Sequence, residues 1–483
     1  MQIQTLFDWY EGALPKIKGD ITGITDDINR MKSGYGFVCV TGRRVDGHSF
    51  AAEALEKGAA FIVTQRDLLL EKQILVRDSR AALALICAVW HGYPAKRLKI
   101  IGITGTNGKT STAFLLRDIL ESAGEKVGLI GTVRTEISGE EAEESSLTTP
   151  DSFTLQSLLK KMADKGCTYC VMEVSSQALE QRRTAGLAFA AAVFTNLTQD
   201  HLDYHGSMRE YKAAKRCLFP SAALCVLNLD DPNNAYMSIG SLRRTVSYSL
   251  NWDEADYTAK NLEQNLDGVR FNAVAMGKIA RLKLQTPGRF SAHNALAALA
   301  TATELGIDFN AAANALSASR GIPGRLERVE TDTPYCVYID YAHTPDALEN
   351  VLTTLRECHP NRLIVLLGCG GDRDRAKRPV MGKIAVELAD AVFITSDNPR
   401  TEDPDTIIAE ILEGVPSKLR KQVRVERDRV TAIGMALTEA DEGDIILLAG
   451  KGHEDYQILG TGKISLDERK VVHEVLAKAA GAE

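Results

Sequence analysis

No uninterrupted apolar run in these 483 residues approaches the roughly 20 needed to cross a bilayer. The opening Met1-Gln-Ile-Gln-Thr-Leu-Phe-Asp-Trp-Tyr10 lacks the basic segment and apolar core of a secretory signal. No membrane association is expected, and a cytoplasmic location is. Basic tracts are missing too: 57 Lys and Arg are outnumbered by 64 Asp and Glu, for a net charge of −7. That balance leaves no electrostatic footprint for nucleic acid. The nine cysteines are scattered and odd in number, which fits a reducing cytosol better than a disulfide framework. Cys167 and Cys170 form a C-x-x-C without a second pair or a His cluster, and they read as structural cysteines. No fixed-period repeat is present, and the acidic run from Gly139 to Glu144 reads as a solvated loop.

What is present is an ordinary globular composition, 45% apolar and 25% charged. The length exceeds what one hydrophobic core organises, so two to four domains are expected. Three segments separate. Residues 1–97 alternate short strand-like runs (Phe37–Val40, Ala60–Val63, Gln73–Val76) with helical stretches at 50–57 and 79–91. Residues 98–328 open with the buried-strand pattern Leu98–Thr104, a glycine turn and an amphipathic helix. Leu116, Ile119, Leu120 and Ala123 share one face of that helix, and Gly124 stops it. Residues 329–483 have the clearest rhythm: strands near 335–340, 362–367, 391–396, 422–426 and 444–449 alternate with helices near 345–357, 376–389, 404–413, 427–439 and 466–480. The fold class expected is α/β in three domains: a small N-terminal domain, a central P-loop domain on a mostly parallel sheet, and a doubly wound Rossmann-like C-terminal domain. Chemistry should sit just after the strands.

The strongest local signal is Gly102-Ile-Thr-Gly-Thr-Asn-Gly-Lys-Thr-Ser-Thr112. A strand, a glycine turn and a helix opening with Lys-Thr form a phosphate cradle: backbone N–H groups meet the oxyanions, Lys109 neutralises charge and the Thr110 hydroxyl can ligate Mg²⁺. The match to the P-loop pattern is imperfect, because a glycine sits one residue early. The plain alternative is a tight turn before a helix. Glu173 closes the strand-like run Cys170-Val-Met-Glu173, where a bare carboxylate would be costly; a salt bridge or a magnesium ion would satisfy it. In Ser207-Met-Arg-Glu-Tyr-Lys-Ala-Ala-Lys-Arg216, Ser207 and Glu210 make a capping box. That start puts Met208, Tyr211, Lys215 and Leu218 on one face. Lys215 then either snorkels its ammonium to the surface or is held neutral by burial, able to take up CO₂ as a carbamate. Thr344-Pro345 supplies an N-cap and N1 pair. Arg373 and Arg400 both follow strands and offer guanidinium forks for carboxylates.

These motifs, in this order, resemble the Mur ligase family: Gly105-Thr-Asn-Gly-Lys-Thr110, Glu173-Val-Ser-Ser176, Asp200-His-Leu-Asp-Tyr-His-Gly206, Tyr338-Ile-Asp-Tyr-Ala-His-Thr-Pro-Asp346, Gly368-Cys-Gly-Gly-Asp-Arg373, Asp397-Asn-Pro-Arg400 and Ala449-Gly-Lys-Gly-His-Glu-Asp455. The resemblance implies an ATP-dependent ligase of peptidoglycan precursor synthesis. It would add meso-2,6-diaminopimelate to a UDP-N-acetylmuramoyl dipeptide through an acyl phosphate, act on small molecules alone and work as a monomer. It implies catalytic roles for Lys109, Glu173, His201 and Lys215, the last as an N6-carboxylysine formed from CO₂. Thr110, Glu173, His201 and the Lys215 carbamate would hold Mg²⁺. Gly105, Thr106, Asn107, Gly108, Lys109, Thr110 and Ser111, with Asn294, Arg325 and Asp340, would take ATP. Arg43, Arg44, Val45, Thr148, Thr149, Ser175, Gln181 and Arg183 would bind the UDP-muramoyl dipeptide. Arg373, Asp397, Asn398, Pro399, Arg400, Gly450 and Glu454 would bind diaminopimelate, with Arg400 matching the carboxylate that lysine lacks. The chain departs from the family where Asp-Ser-Arg is usual and Thr25-Asp-Asp-Ile-Asn-Arg30 stands instead. The rival readings are a folylpolyglutamate synthetase relative and a nucleotide-dependent regulatory protein.

Overall fold

The computed structural model describes residues 1–16, 19–42, 45–141, 147–239 and 243–480. Arg43 and Arg44, and residues 142–144 of the acidic run, lie outside these residues; the part of that run expected as loop at Glu140–Glu141 is instead a short strand paired antiparallel with Thr135–Ile137. The N-terminal sheet is wholly parallel, with Gly23–Thr25, Tyr35–Val38, Phe61–Thr64 and Gln73–Leu75 in chain order. Its first strand has three residues, too few to leave a periodic signal. Helix Ser79–Trp90 packs on it, started by Asp78, whose side chain accepts from the Arg80 and Ala81 N–H groups.

The central sheet has eleven strands. Six parallel strands form its heart, in the order Arg244–Ser249, Ala222–Asn228, Phe189–Phe194, Lys99–Thr104, Tyr169–Glu173 and Val127–Ile130. From Ile100 to Thr104 every residue is buried, as a parallel strand covered on both faces requires. One cover is the trio Lys109–Ser122, Arg289–Glu304 and Phe309–Ala318; the other includes Ser152–Asp164 and Met208–Arg216. Leu116 and Leu120 are fully buried in the first, and trimming either to alanine would cost about 2–5 kcal/mol. Ala123 departs from expectation: the helix ends at Ser122, Gly124 turns the chain with φ +84°, and Ala123 is left exposed. The antiparallel ribbon Tyr257–Asn265, Gly268–Ala275 and Lys278–Leu284 extends one edge.

The C-terminal sheet runs Glu327–Val329, Cys336–Asp340, Ile445–Ala449, Leu363–Leu367, Ala391–Ile394, Val423–Val425, all parallel but the first. Helices Pro345–Arg356, Lys377–Leu388 and Pro404–Glu413 cover one face, and Arg429–Glu439 with Glu468–Ala480 the other. This is the expected double winding. The helix expected from 427 starts at Arg429, because Asp428 caps it by accepting from the Thr431 N–H. Among the described residues no helix is long and apolar enough to cross a membrane. All nine cysteines are free, and burial pushes the Cys167 and Cys170 thiols up in pKa, which suits packing rather than reactivity.

Candidate active site

The turn after strand Lys99–Thr104 is shaped by glycine. Gly108 sits at φ +84°, and a Cβ there would lie 2.4 Å from Asn294 Oδ1. The Thr106 and Asn107 N–H groups donate to the Asn196 carbonyl and side-chain oxygens, each at 2.9 Å. Thr195 Oγ1 donates to the Asn107 carbonyl at 2.6 Å. Lys109 curls over its own turn, donating to the Gly105 and Thr106 carbonyls at 2.9 and 2.7 Å. Burial lowers its pKa, opposed by Glu173 and Asp200. The turn is thus held open by side chains behind it, with its helix N-terminus facing a cleft.

Glu173 ends strand Tyr169–Glu173 and is 1% exposed. Among the described residues it has no salt-bridge partner. Thr110 Oγ1 and Thr132 Oγ1 donate to its Oε2 at 3.0 and 3.1 Å, and the Thr132 N–H donates to Oε1 at 2.9 Å. Lys215 is likewise 1% exposed, so the snorkelling alternative fails. Tyr211 and Leu218 lie buried on the same face, with Met208 half-buried. The Lys215 Nζ donates to the Gly105 carbonyl at 2.7 Å. Burial drives its pKa well down, the Lys109 charge adds to that, and Asp200 opposes it. His201 stands nearby in a left-handed conformation, φ 54°; burial lowers its pKa against the opposing charge of Asp200.

Around these groups lies a cleft of about 510 Å³. Thr106–Ser111, Glu173, His201 and Lys215 line one part, Thr148, Thr149, Ser175, Gln181 and Arg183 another, and Arg325, Asp340 and Arg373 a third. Arg183 donates to Gln181 Oε1 through Nε and Nη2 at 3.1 and 2.8 Å, and to the Thr149 carbonyl at 2.6 Å. Gln181 in turn donates to Tyr204 OH at 2.7 Å. Val45 is exposed and does not line this cleft. Asn294 and Ser111 also border a smaller cavity of about 30 Å³ with Leu115, Phe290, Ile322 and Arg325.

The remaining expected residues cluster at the carboxyl ends of the C-terminal strands. Asn398 Nδ2 donates to Glu454 Oε2 at 2.8 Å. Arg400, at φ 53°, donates from Nη1 to the Gly371 carbonyl at 2.9 Å. A Cβ on Gly370 would fall 2.9 Å from that same Nη1, and one on Gly450 would fall 2.8 Å from Asp397 Oδ2. A Cβ on Gly371 would fall 1.9 Å from the Pro399 carbonyl oxygen, so glycine is needed where these loops meet. Arg373 is exposed and is the member of this group that lines the cleft.

A continuous path joins the two regions. Arg325 Nη2 donates to Thr110 Oγ1 at 3.0 Å, and the guanidinium lies 4.8 Å over the Tyr341 ring. Tyr341 packs 5.1 Å from His453, the neighbour of Glu454. Asn107 Nδ2 also donates to Asp346 Oδ2 at 2.7 Å, across 239 positions of sequence. Asp340 accepts from the Leu326 N–H at 2.6 Å; burial raises its pKa to about 6, against the Arg325 charge. Sequence reasoning missed Thr132, Asn196 and Lys451. All three follow buried strands by two residues, a position that could have flagged them. Lys451 is fully buried and pairs with Glu454 at 3.1 Å.

With this geometry in place, three family models match the chain: "Mur ligase family, catalytic domain" over residues 20–90, "Mur ligase middle domain" over 103–302, and "Mur ligase, glutamate ligase domain" over 324–452. UDP-N-acetylmuramoyl-L-alanyl-D-glutamate–2,6-diaminopimelate ligase of Clostridium botulinum is 44% identical over 95% of this chain and 96% of its own. The enzyme of the same name from Caldanaerobacter subterraneus subsp. tengcongensis is 43% identical over 98% and 99%. A solved structure of a ligase of that name superposes with a TM-score of 0.72 at 31% identity, covering 99% of both chains.

Proposed function

The chain belongs to the Mur ligase family, and on that premise we propose its reaction: ATP-driven joining of meso-2,6-diaminopimelate to UDP-N-acetylmuramoyl-L-alanyl-D-glutamate. It is an ATP-dependent acid–amino-acid ligase of peptidoglycan synthesis. The observation that carries this reading is the single cleft lined at once by the Thr106–Ser111 turn, by Glu173 and Lys215, by Gln181 and Arg183, and by Arg373.

The glutamyl γ-carboxylate attacks the γ-phosphorus of ATP, forming an acyl phosphate and releasing ADP. The amine of diaminopimelate then attacks the acyl carbon, loses a proton and expels phosphate to leave the amide. Lys109 and the N–H groups at the start of helix Lys109–Ser122 stabilise charge on the transferring phosphoryl group. Asn294 and Arg325 suit the adenine end of the nucleotide, and Asp340 the ribose. Arg183, fixed by Gln181 and the Thr149 carbonyl, orients the dipeptide carboxylates. Arg373 and Arg400 receive the distal carboxylate of the incoming amino acid, while Asn398 and Glu454 suit its ammonium.

Thr110 Oγ1 and Glu173 Oε2 are hard oxygens 3.0 Å apart, a donor pair that fits Mg²⁺. When bound, that ion would screen the phosphates and polarise the γ-phosphoryl oxygen. Among the described residues no three His, Cys, Asp or Glu side chains converge on one point, so one carboxylate and His201 leave the site short of anionic donors. A carbamate on Lys215 supplies the missing oxygens: the buried amine adds CO₂, sheds a proton and keeps one N–H for the Gly105 carbonyl. Three domains are read from the three larger sheets, with the first boundary near 97; the second, expected between 328 and 329, is better drawn before Glu327, because strand Glu327–Val329 pairs with Cys336–Asp340. One chain supplies every residue named, which suits a monomer, and nine free cysteines suit a reducing cytoplasm.

The test is phosphate release with the muramoyl dipeptide and diaminopimelate, L-lysine or no amine. Release that needs diaminopimelate is expected. Release indifferent to the amine would favour a hydrolase or regulatory protein, and equal use of lysine would remove the specificity for diaminopimelate.

A further inference from the structure

The C-terminal sheet buries an arginine that the reaction above does not use. Arg429 is 0% exposed and stands in the first turn of helix Arg429–Glu439, where the helix dipole disfavours a cation. Burial of a charge and an opposed dipole are two costs, and a leucine there would incur neither. What the side chain touches explains its presence. Nε donates to Glu468 Oε1 at 2.7 Å, Nη2 to the Ala449 carbonyl at 2.9 Å, and Nη1 to the Ser396 carbonyl at 3.3 Å.

Those two carbonyls are not arbitrary. Ser396 directly precedes Asp397-Asn-Pro-Arg400, and Ala449 directly precedes Gly450-Lys-Gly-His-Glu454. Their strands, Ala391–Ile394 and Ile445–Ala449, are not neighbours: Leu363–Leu367 lies between them. One planar fork thus spans the middle strand and fixes the exits of the strands on either side. The middle strand's own exit is pressed into the same place, since a Cβ on Gly368 would lie 2.6 Å from the Thr395 carbonyl and 2.9 Å from the Asp397 N–H. Glu468, also 0% exposed, opens the last helix, Glu468–Ala480, at the end where a carboxylate is favoured. The final helix is thereby tied to the loops that carry Asn398, Arg400 and Glu454.

We propose that the Arg429–Glu468 pair is a positioning clamp for the incoming amino acid: it sets the separation of the 397–400 and 450–454 loops and hence affinity for the diamino dicarboxylate. This rests on the ligase reading given above. A buried ion pair is poor evidence of stabilisation, because an apolar pair of similar volume often serves as well. That fact gives the test. The double variant Arg429→Met/Glu468→Met removes both charges together and keeps the volume, so the sheet should fold, while the two carbonyls lose their common donor.

With wild type measured in parallel, the double variant should show a KM for diaminopimelate raised by about tenfold or more and a KM for ATP within about twofold. Amide hydrogen exchange of segments 396–400 and 449–454 should also accelerate. A folded double variant with unchanged KM for diaminopimelate and unchanged exchange overturns the clamp, as does an equal rise in both KM values. Should the double variant not fold, Arg429→Lys keeps the charge beside Glu468 but not the fork; the same KM split is expected, and its absence is equally fatal. If wild type itself releases phosphate without any amine, the ligase reading fails instead, and exchange in the two segments still decides whether the clamp exists.

Discussion

A single added methyl group at Gly131 tests the placement of Glu173 without touching its chemistry. A Cβ at that position would lie 2.4 Å from Glu173 Oε1, 3.2 Å from Cδ and 3.4 Å from Cγ. Ordinary contact needs the carboxylate to retreat by roughly 1 Å, and misplacement on that scale costs about 10²-fold in rate. The retreat must also break the 2.9 Å hydrogen bond from the Thr132 N–H, a loss of about 1.5–3 kcal/mol for a charged acceptor. Gly131→Ala is therefore expected to lower kcat about 100-fold, or ~2.7 kcal/mol of transition-state stabilisation, while the KM for diaminopimelate changes little. The assay is steady-state phosphate release at saturating dipeptide, with thermal unfolding as a control. A well-folded variant with kcat within threefold of wild type would refute the role assigned to the Glu173 position.

Lys215→Ala should abolish phosphate release while a fluorescent nucleotide still binds; near-normal turnover would remove the carbamate from the mechanism. Arg400→Ala should raise the KM for diaminopimelate far more than that for ATP, and parallel changes would argue against direct contact. Asp340 gives a pH signature. Its pKa is raised from 3.8 to about 6 by burial, so the fold favours the protonated form, and ionising it costs stability as pH rises through that window. At about 1.4 kcal/mol per tenfold in proton affinity the full cost above pH 6 is ~3 kcal/mol. Asp340→Asn should thus match wild type below pH 4 and exceed it at pH 7 in thermal unfolding; a pH-independent difference would contradict this.

The parts of this molecule legible in its sequence are those with local causes. The C-terminal strands and helices announced themselves because each buried strand is a short apolar run between amphipathic helices, and the capping box at Ser207 was enough to place Lys215 on the buried face of its helix. The turn at Gly105–Thr110 carries its own geometry in its glycines. What escaped depends on contacts distant in sequence. Glu173 could be suspected of needing a partner, but that the partners are the Thr110 and Thr132 hydroxyls and an amide could not be read from the strand that bears it. Arg378 and Arg429 lie in helices where arginine ordinarily faces water, yet both are wholly buried, and only the sheet packed over them reveals it. The link from Asn107 to Asp346 joins two domains that no local pattern could orient. Candidate site residues were therefore readable as motifs, and their convergence was not.

The most direct test of that convergence is a structure of the protein with a non-hydrolysable ATP analogue and diaminopimelate bound together. The phosphates should lie along the Gly105–Thr110 turn, the distal carboxylate on Arg400, and the amine should point into the cleft beside Lys215 and Glu173. Diaminopimelate bound on a surface that does not open onto that cleft would contradict the account.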